Sequence, residues 1–177
     1  DLNYADACCV KSTEGGAPPR PTMCVAAVTE VILEAINLYV AEKADRKALL
    51  SELPISSWNS GARKSIRANL FMYQGSGSKG TADTLERFGM GKTKPFTELL
   101  AGDFINFNRT TNSGHAVIFM NYLKEGGQVA DSYSAEVIGF RYFSAQGKGR
   151  PDAGFGYRNA YFYDKCPSPR GQNDDCN

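Results

Sequence analysis

Two side chains in this sequence have the chemistry of a nucleophile and its base: Cys24 and His115. The stretch "PTMCVAAV" puts Cys24 at the opening of a helical pattern. The first turn of a helix leaves backbone N–H groups without intrahelical partners. The positive end of the helix dipole favours thiolate over thiol, and the same N–H groups can stabilise a developing oxyanion. A thiol nucleophile needs a base within hydrogen-bond reach, usually imidazole. The single histidine, His115, stands in "NSGHAVIFMNYL", at the mouth of an apolar, strand-like run. A helix packed across a sheet can bring two such openings together. A third group must orient the ring and set its tautomer. The strand expected to return past His115, "QVADSYS", carries Asp131, a charge among strand formers, with Glu136, Asn121 and Tyr133 as alternatives. The competing account is purely structural: a packed cysteine, an idle histidine and a solvent-facing aspartate.

The elements that must position these residues follow from periodicity. "STEGGAPPRPTM" is rich in Gly and Pro, so residues 1–23 read as an irregular arm. From Cys24, apolar residues Val25, Val28, Ile32, Ala35, Ile36 and Tyr39 recur at helical steps, and further apolar residues occupy the other sides. Such a helix is expected to be central and packed over most of its girth; "AEKADRKALLSEL" continues or restarts it. "PISSWNSG" is a loop holding Trp58. "ARKSIRANLF", "TADTLERFGMG" and "PFTELLAG" read as short helices. After Gly102 come strand formers: "DFINFNR", "HAVIFMNYL", "GQVADSYS", "AEVIGFRYFSA" and "YRNAYFYD", with "KEGGQ" as a hairpin turn. Helices first and strands afterwards make an α+β fold of N-terminal helices on a C-terminal, mostly antiparallel sheet.

Bulk composition narrows the function. The 177 residues fit one domain, 1–177. Net charge +1 gives no basic footprint for nucleic acid. The longest apolar stretch, Cys24 to Val40, is interrupted by Thr29, Glu30, Glu34 and Asn37, so no membrane span is expected. "GSGSKG" lacks the P-loop spacing and a preceding strand. No cofactor is implied. "FSAQGKGRPDAGFGYR", with Gln146, Arg150 and Arg158, reads first as an irregular loop. Its second reading is a substrate grip, arginine on carboxylate and aromatics on sugar.

Of the five cysteines, Cys8, Cys9, Cys166 and Cys176 lie in the two tails. Their spacing does not suit zinc, so no metal is expected. Two disulfides with Cys24 left reduced are expected instead, each joining an N-terminal to a C-terminal cysteine and so tethering the tail 164–177. Disulfides imply an oxidising compartment, secreted or periplasmic. The first residue is Asp rather than Met, consistent with a leader already removed.

The helix-start Cys24, then Gly102, Asp103 and Phe104, then Gly114, His115, Ala116 and Val117, resembles the papain-like fold of NlpC-type and CHAP-type cell-wall hydrolases. The chain also resembles, in size and compartment, the small amidase toxins that bacteria inject into a rival's periplasm. The interval from Cys24 to His115 is longer than in typical NlpC domains, and "MCVAAV" departs from the usual surroundings of the nucleophile. The resemblance implies a cysteine amidase or peptidase acting on peptidoglycan peptides, with Cys24, His115 and Asp131 as its site. The Cys24 N–H would be one oxyanion donor, and residues 18–22 or a side chain would supply the second. An antibacterial effector would also have an immunity or inhibitor protein as partner. Two alternatives stay open: a papain-like effector acting on a protein substrate (protease, deamidase or transferase), and a non-enzymatic, disulfide-stapled binding module.

Overall fold

A computed structural model describes residues 2–5, 9–12, 23–43, 65–108, 114–146, 153–172 and 174–176. The chain is α+β, with helices preceding a mostly antiparallel sheet. The N-terminal arm is not wholly irregular. β1 (Leu2–Ala5) and β2 (Cys9–Ser12) form an antiparallel hairpin, with Leu2 opposite Ser12 and Ala5 opposite Cys9. The Gly- and Pro-rich signals that suggested an irregular arm begin only after β2. Trp58, Arg150, the continuation of the first helix and residues 18–22 lie outside the described residues.

α1 (Cys24–Ala41) starts where its periodicity does. Met23 is extended and its carbonyl accepts from Ala27 N–H at 3.0 Å, closing the first turn. The helix buries one stripe, Ala27, Val28, Ile32, Leu33 and Val40, while Leu38 and Tyr39 are exposed. Packing over most of its girth is therefore corrected: α1 buries one stripe, against the main sheet and β2, and leaves residues on its other side exposed. By length and composition α1 is apolar enough to cross a membrane, contrary to the reading from its polar interruptions. The core helix of a soluble protein and a signal sequence share that property, and 28% of α1 is buried.

α2 (Ile66–Leu70) is capped by Ser65, whose Oγ accepts from Ala68 N–H at 3.1 Å. α3 (Thr81–Arg87) opens at Gly80, with φ +126°, where any Cβ would collide with the Asn106 side chain. The Asn106 carboxamide oxygen accepts from Ala82 N–H at 2.6 Å and so pins α3 to the sheet. "PFTELLAG" supplies only one helical turn, Phe96–Glu98.

The main sheet contains β3 (Phe104–Asn108), β4 (Gly114–Leu123), β5 (Val129–Ala130), β6 (Gly139–Gln146), β7 (Gly154–Tyr161) and β8 (Asp174–Cys176). Its order is β3-β4-β6-β7-β8, with β5 paired to β4, and only β7 with β8 is parallel. The strand expected across "QVADSYS" lasts two residues, so the long return strand beside β4 is β6. Side chains alternate between two cores. Ala116, Ile118, Phe104 and Phe143 join α1 in one, whereas Val117, Phe119, Phe107, Phe140 and Tyr142 form an aromatic core on the other face.

The tail is stapled to itself. Cys166 pairs with Cys176, Cα atoms 5.7 Å apart, which corrects the expected tail-to-tail bridges. The cause is β8: its parallel register on β7 sets Cys176 beside Tyr161 and returns the tail to Cys166. Cys24 is a free thiol. Cys8 lies outside the described residues.

Candidate functional site

His115 is the second residue of β4 and is 3% exposed. Its ring stands edge-on to Phe107 and to Tyr142, with centroids 5.5 Å away in each case. Phe107 is its partner in β3. On the other side, the β4–β6 register that pairs Ile118 with Phe143 leads, continued along both strands, to His115 opposite Gln146. There Gln146 Nε2 lies 3.4 Å from His115 Nε2. An amide nitrogen can only donate, which leaves the neutral ring's proton on Nδ1. The alternative amide orientation presents Oε1, which accepts Nε2–H and leaves Nδ1 unprotonated in the neutral ring.

Around this pair the aromatic face is threaded by buried polar groups. Ser144 Oγ donates to Ala116 O at 2.8 Å. The Arg158 guanidinium donates to the carbonyls of Ser144 (3.0 Å), Gly156 (3.1 Å) and Gly154 (3.0 Å). The Tyr142 hydroxyl donates to the Asp175 carboxylate. Buried polar groups require such partners, and here they tie β4, β6, β7 and β8 together below the imidazole. Arg158, read from sequence first as part of an irregular loop and second as a substrate grip, is instead a buried strut on β7.

Cys24 is partly buried and packs against the core containing Val28, Ala116 and Ile118. Those β4 residues alternate with His115, whose ring joins Phe107 and Tyr142 on the opposite face. Thiol and imidazole are therefore presented to opposite sides of the sheet, and the structure does not bring them together.

Asp131 is likewise not beside His115. It follows β5, at the far end of β4, where Asn121 Nδ2 donates to its Oδ1 at 2.8 Å. Seven strand positions separate His115 from Tyr122, the β5 partner, on the order of 23 Å. The alternatives sit at that same end. Glu136 pairs with Lys124 at 2.8 Å, and this hydrogen bond and charge hold its carboxyl below the ordinary range. Tyr133 packs edge-on against Phe96 and Tyr122. Gln146, which the sequence offers only as part of a loop or substrate grip, is the polar neighbour of His115. The alternation of Tyr142, Ser144 and Gln146 along β6 was the available signal.

A cleft of about 990 Å³ opens elsewhere, between α1, α3 and β3, lined among others by Ile36, Leu85, Met90, Lys92 and Phe104. Lys94 and Asp103 pair at its wall, 2.8 Å apart. Neither Cys24 nor His115 lines it. Among the described residues no group of His, Cys, Asp and Glu side chains is arranged to hold a metal. No family model, no curated protein and no solved structure matches this chain.

Proposed function

We propose that the chain is a papain-like, thiol-dependent amide hydrolase of peptidoglycan peptides, with Cys24 as nucleophile, His115 as base and Gln146, in place of Asp131, orienting the imidazole. The observation that supports it best is the His115–Gln146 pair: a lone histidine buried at a strand opening, with two rings at its faces and edges and a carboxamide at one nitrogen. Cys24 contributes a free thiol at an uncapped helix start. In the reaction His115 takes the thiol proton, and the thiolate attacks the amide carbonyl. The collapsing intermediate expels the amine, which receives the proton from His115, and water then hydrolyses the thioester to release the acid and restore the thiol. This chemistry requires thiol and imidazole to meet, whereas the structure presents them to opposite faces of the sheet, the observation that weighs against this reading.

The Cys166–Cys176 bridge favours an oxidising compartment, so the proposed site of action is secreted or periplasmic. An antibacterial effector of this kind would have an immunity or inhibitor protein as partner. A second reading, the non-enzymatic binding module, is favoured by the separation of Cys24 from His115 and by a cleft remote from both. Digestion of purified peptidoglycan decides between them. New amino and carboxyl termini released by the wild-type chain, and lost in Cys24→Ala and in His115→Ala, support the hydrolase. No release, or release undiminished in Cys24→Ala, overturns it.

A further inference from the structure

The face of the sheet that carries α1 also carries a ladder of aromatic rings at its β6–β7 end. Phe143 lies opposite Tyr157 in register, with ring centroids 5.6 Å apart. Phe155 stacks on Phe143 at 6.3 Å with an interplanar angle of 10°. The Arg141 guanidinium lies 5.2 Å from the Tyr157 ring centre. Phe143 also packs against the core that includes Cys24, so the ladder and the thiol share one side of the sheet. Phe155 is 60% exposed and Tyr157 53% exposed. Large rings left in water on regular strands are preorganised contact surfaces that lose little entropy on binding.

The ladder runs into a polar row. Arg141 has Asn121 as its neighbour on β4 and Asn159 on β7. Asn121 holds Asp131 at 2.8 Å, and Asn159 Nδ2 donates to Asp174 at 3.2 Å. Among the described residues Arg141 makes no ion pair with either aspartate. A cavity of about 270 Å³ opens here, lined by Arg141, Tyr157 and Asn159 among others. The row therefore offers donors (guanidinium and carboxamide) beside acceptors (carboxylates). Hydroxyl groups do both, so vicinal hydroxyls match such a row. One positive and two negative charges make a poor seat for a polyanion, which needs a cationic track.

We propose that this surface is a glycan platform. A neutral sugar chain lays its apolar pyranose faces on Phe155 and Tyr157 and hydrogen-bonds through its hydroxyls to Arg141 and the flanking Asn and Asp side chains. That the sugar is N-acetylated rests on the cell-wall reading above; the platform geometry does not. The test is titration of the full chain with tri-N-acetylchitotriose, followed by calorimetry and ligand-observed NMR, in wild type and in Cys24→Ala. Both bind saturably, and Phe155→Ala with Tyr157→Ala together weaken binding roughly tenfold or more. Arg141→Gln weakens it with an unchanged melting temperature, which keeps the test valid if the double aromatic variant fails to fold. Absence of saturable binding overturns the platform. So does binding indifferent to all these substitutions, or preferential binding of a short acidic or basic peptide at the same residues. The two readings fail separately. Binding without peptide cleavage sinks the hydrolase and leaves the platform, and cleavage without oligosaccharide binding does the reverse.

Discussion

Gln146 faces His115 across the β4–β6 ladder, its side-chain nitrogen 3.4 Å from the imidazole Nε2, while Asp131 is bonded to Asn121 at the opposite end of β4. In the hydrolase reading the ring is positioned by a carboxamide. Gln146→Ala then lowers kcat, with KM nearly unchanged, by part of the roughly 10²–10⁴-fold that general base catalysis contributes. Asp131→Asn leaves the rate near wild type. Steady-state kinetics on a peptidoglycan peptide checks both, and a fall in Asp131→Asn as deep as in Gln146→Ala returns the orienting role to Asp131.

Cys24 is a free thiol, and Cys166 and Cys176 are bridged. Iodoacetamide applied before reduction modifies Cys24 and spares the other two, as peptide mass mapping would record. Cys24→Ala and His115→Ala each remove activity, and the double variant is no worse than either, because members of one catalytic unit are not additive. A further large loss in the double variant would mean that the two residues act independently.

The bridge closes a loop with a sequence separation of 10 and holds β8 to β7 through the Tyr161–Cys176 register. Chain entropy assigns such a loop about 2.5–3 kcal/mol. Cys166→Ser with Cys176→Ser should therefore lower Tm by roughly 5–10 °C for a domain of this size. The loss falls first on β8, which carries Asp175, the partner of Tyr142. Hydrogen exchange should show β8 amides opening before those of β4.

Tyr122 is buried in the aromatic core and donates its hydroxyl to the carbonyls of Phe96 (2.8 Å) and Leu99 (3.1 Å). Burial, reinforced by the nearby Asp103 and Glu98 carboxylates, holds its pKa above the ordinary 10.0. Burial does the same for Tyr161, with Asp174 adding to it. The folded state thus holds these protons more tightly than the unfolded state. Their contribution is complete below pH 10 and declines as pH rises from there through the folded values. Urea midpoints should fall above pH 10. Tyr122→Phe should flatten part of that fall while costing about 1–2 kcal/mol at neutral pH. An unchanged alkaline slope in Tyr122→Phe would remove Tyr122 from this account.

Local signals in the sequence were sufficient for the helix start at Cys24, a short helix within "ARKSIRANLF" and the strand opening at His115. Each is set by residues within a few positions: apolar side chains at helical steps, or strand formers in alternation. The two candidate reactive groups and the α+β order were legible for that reason. Gln146 was not, because its role depends on which strand lies beside β4. The "KEGGQ" turn is real, but the strand it starts pairs for two residues only, and the lasting partner arrives later, as β6.

The sequence by itself determined which side chains this chain has for chemistry and which kinds of element carry them. Tertiary structure alone decided what they face. Side chains on a strand alternate, so a single step of register sends His115 either toward α1 and Cys24 or toward the aromatic core, and the pairing of β3, β4 and β6 selects the aromatic core. The disulfide was undetermined in the same way. Four cysteines allow three pairings, and the return of β8 along β7 set Cys166 against Cys176. Both outcomes rest on contacts between residues distant in sequence, whose geometry no local pattern encodes.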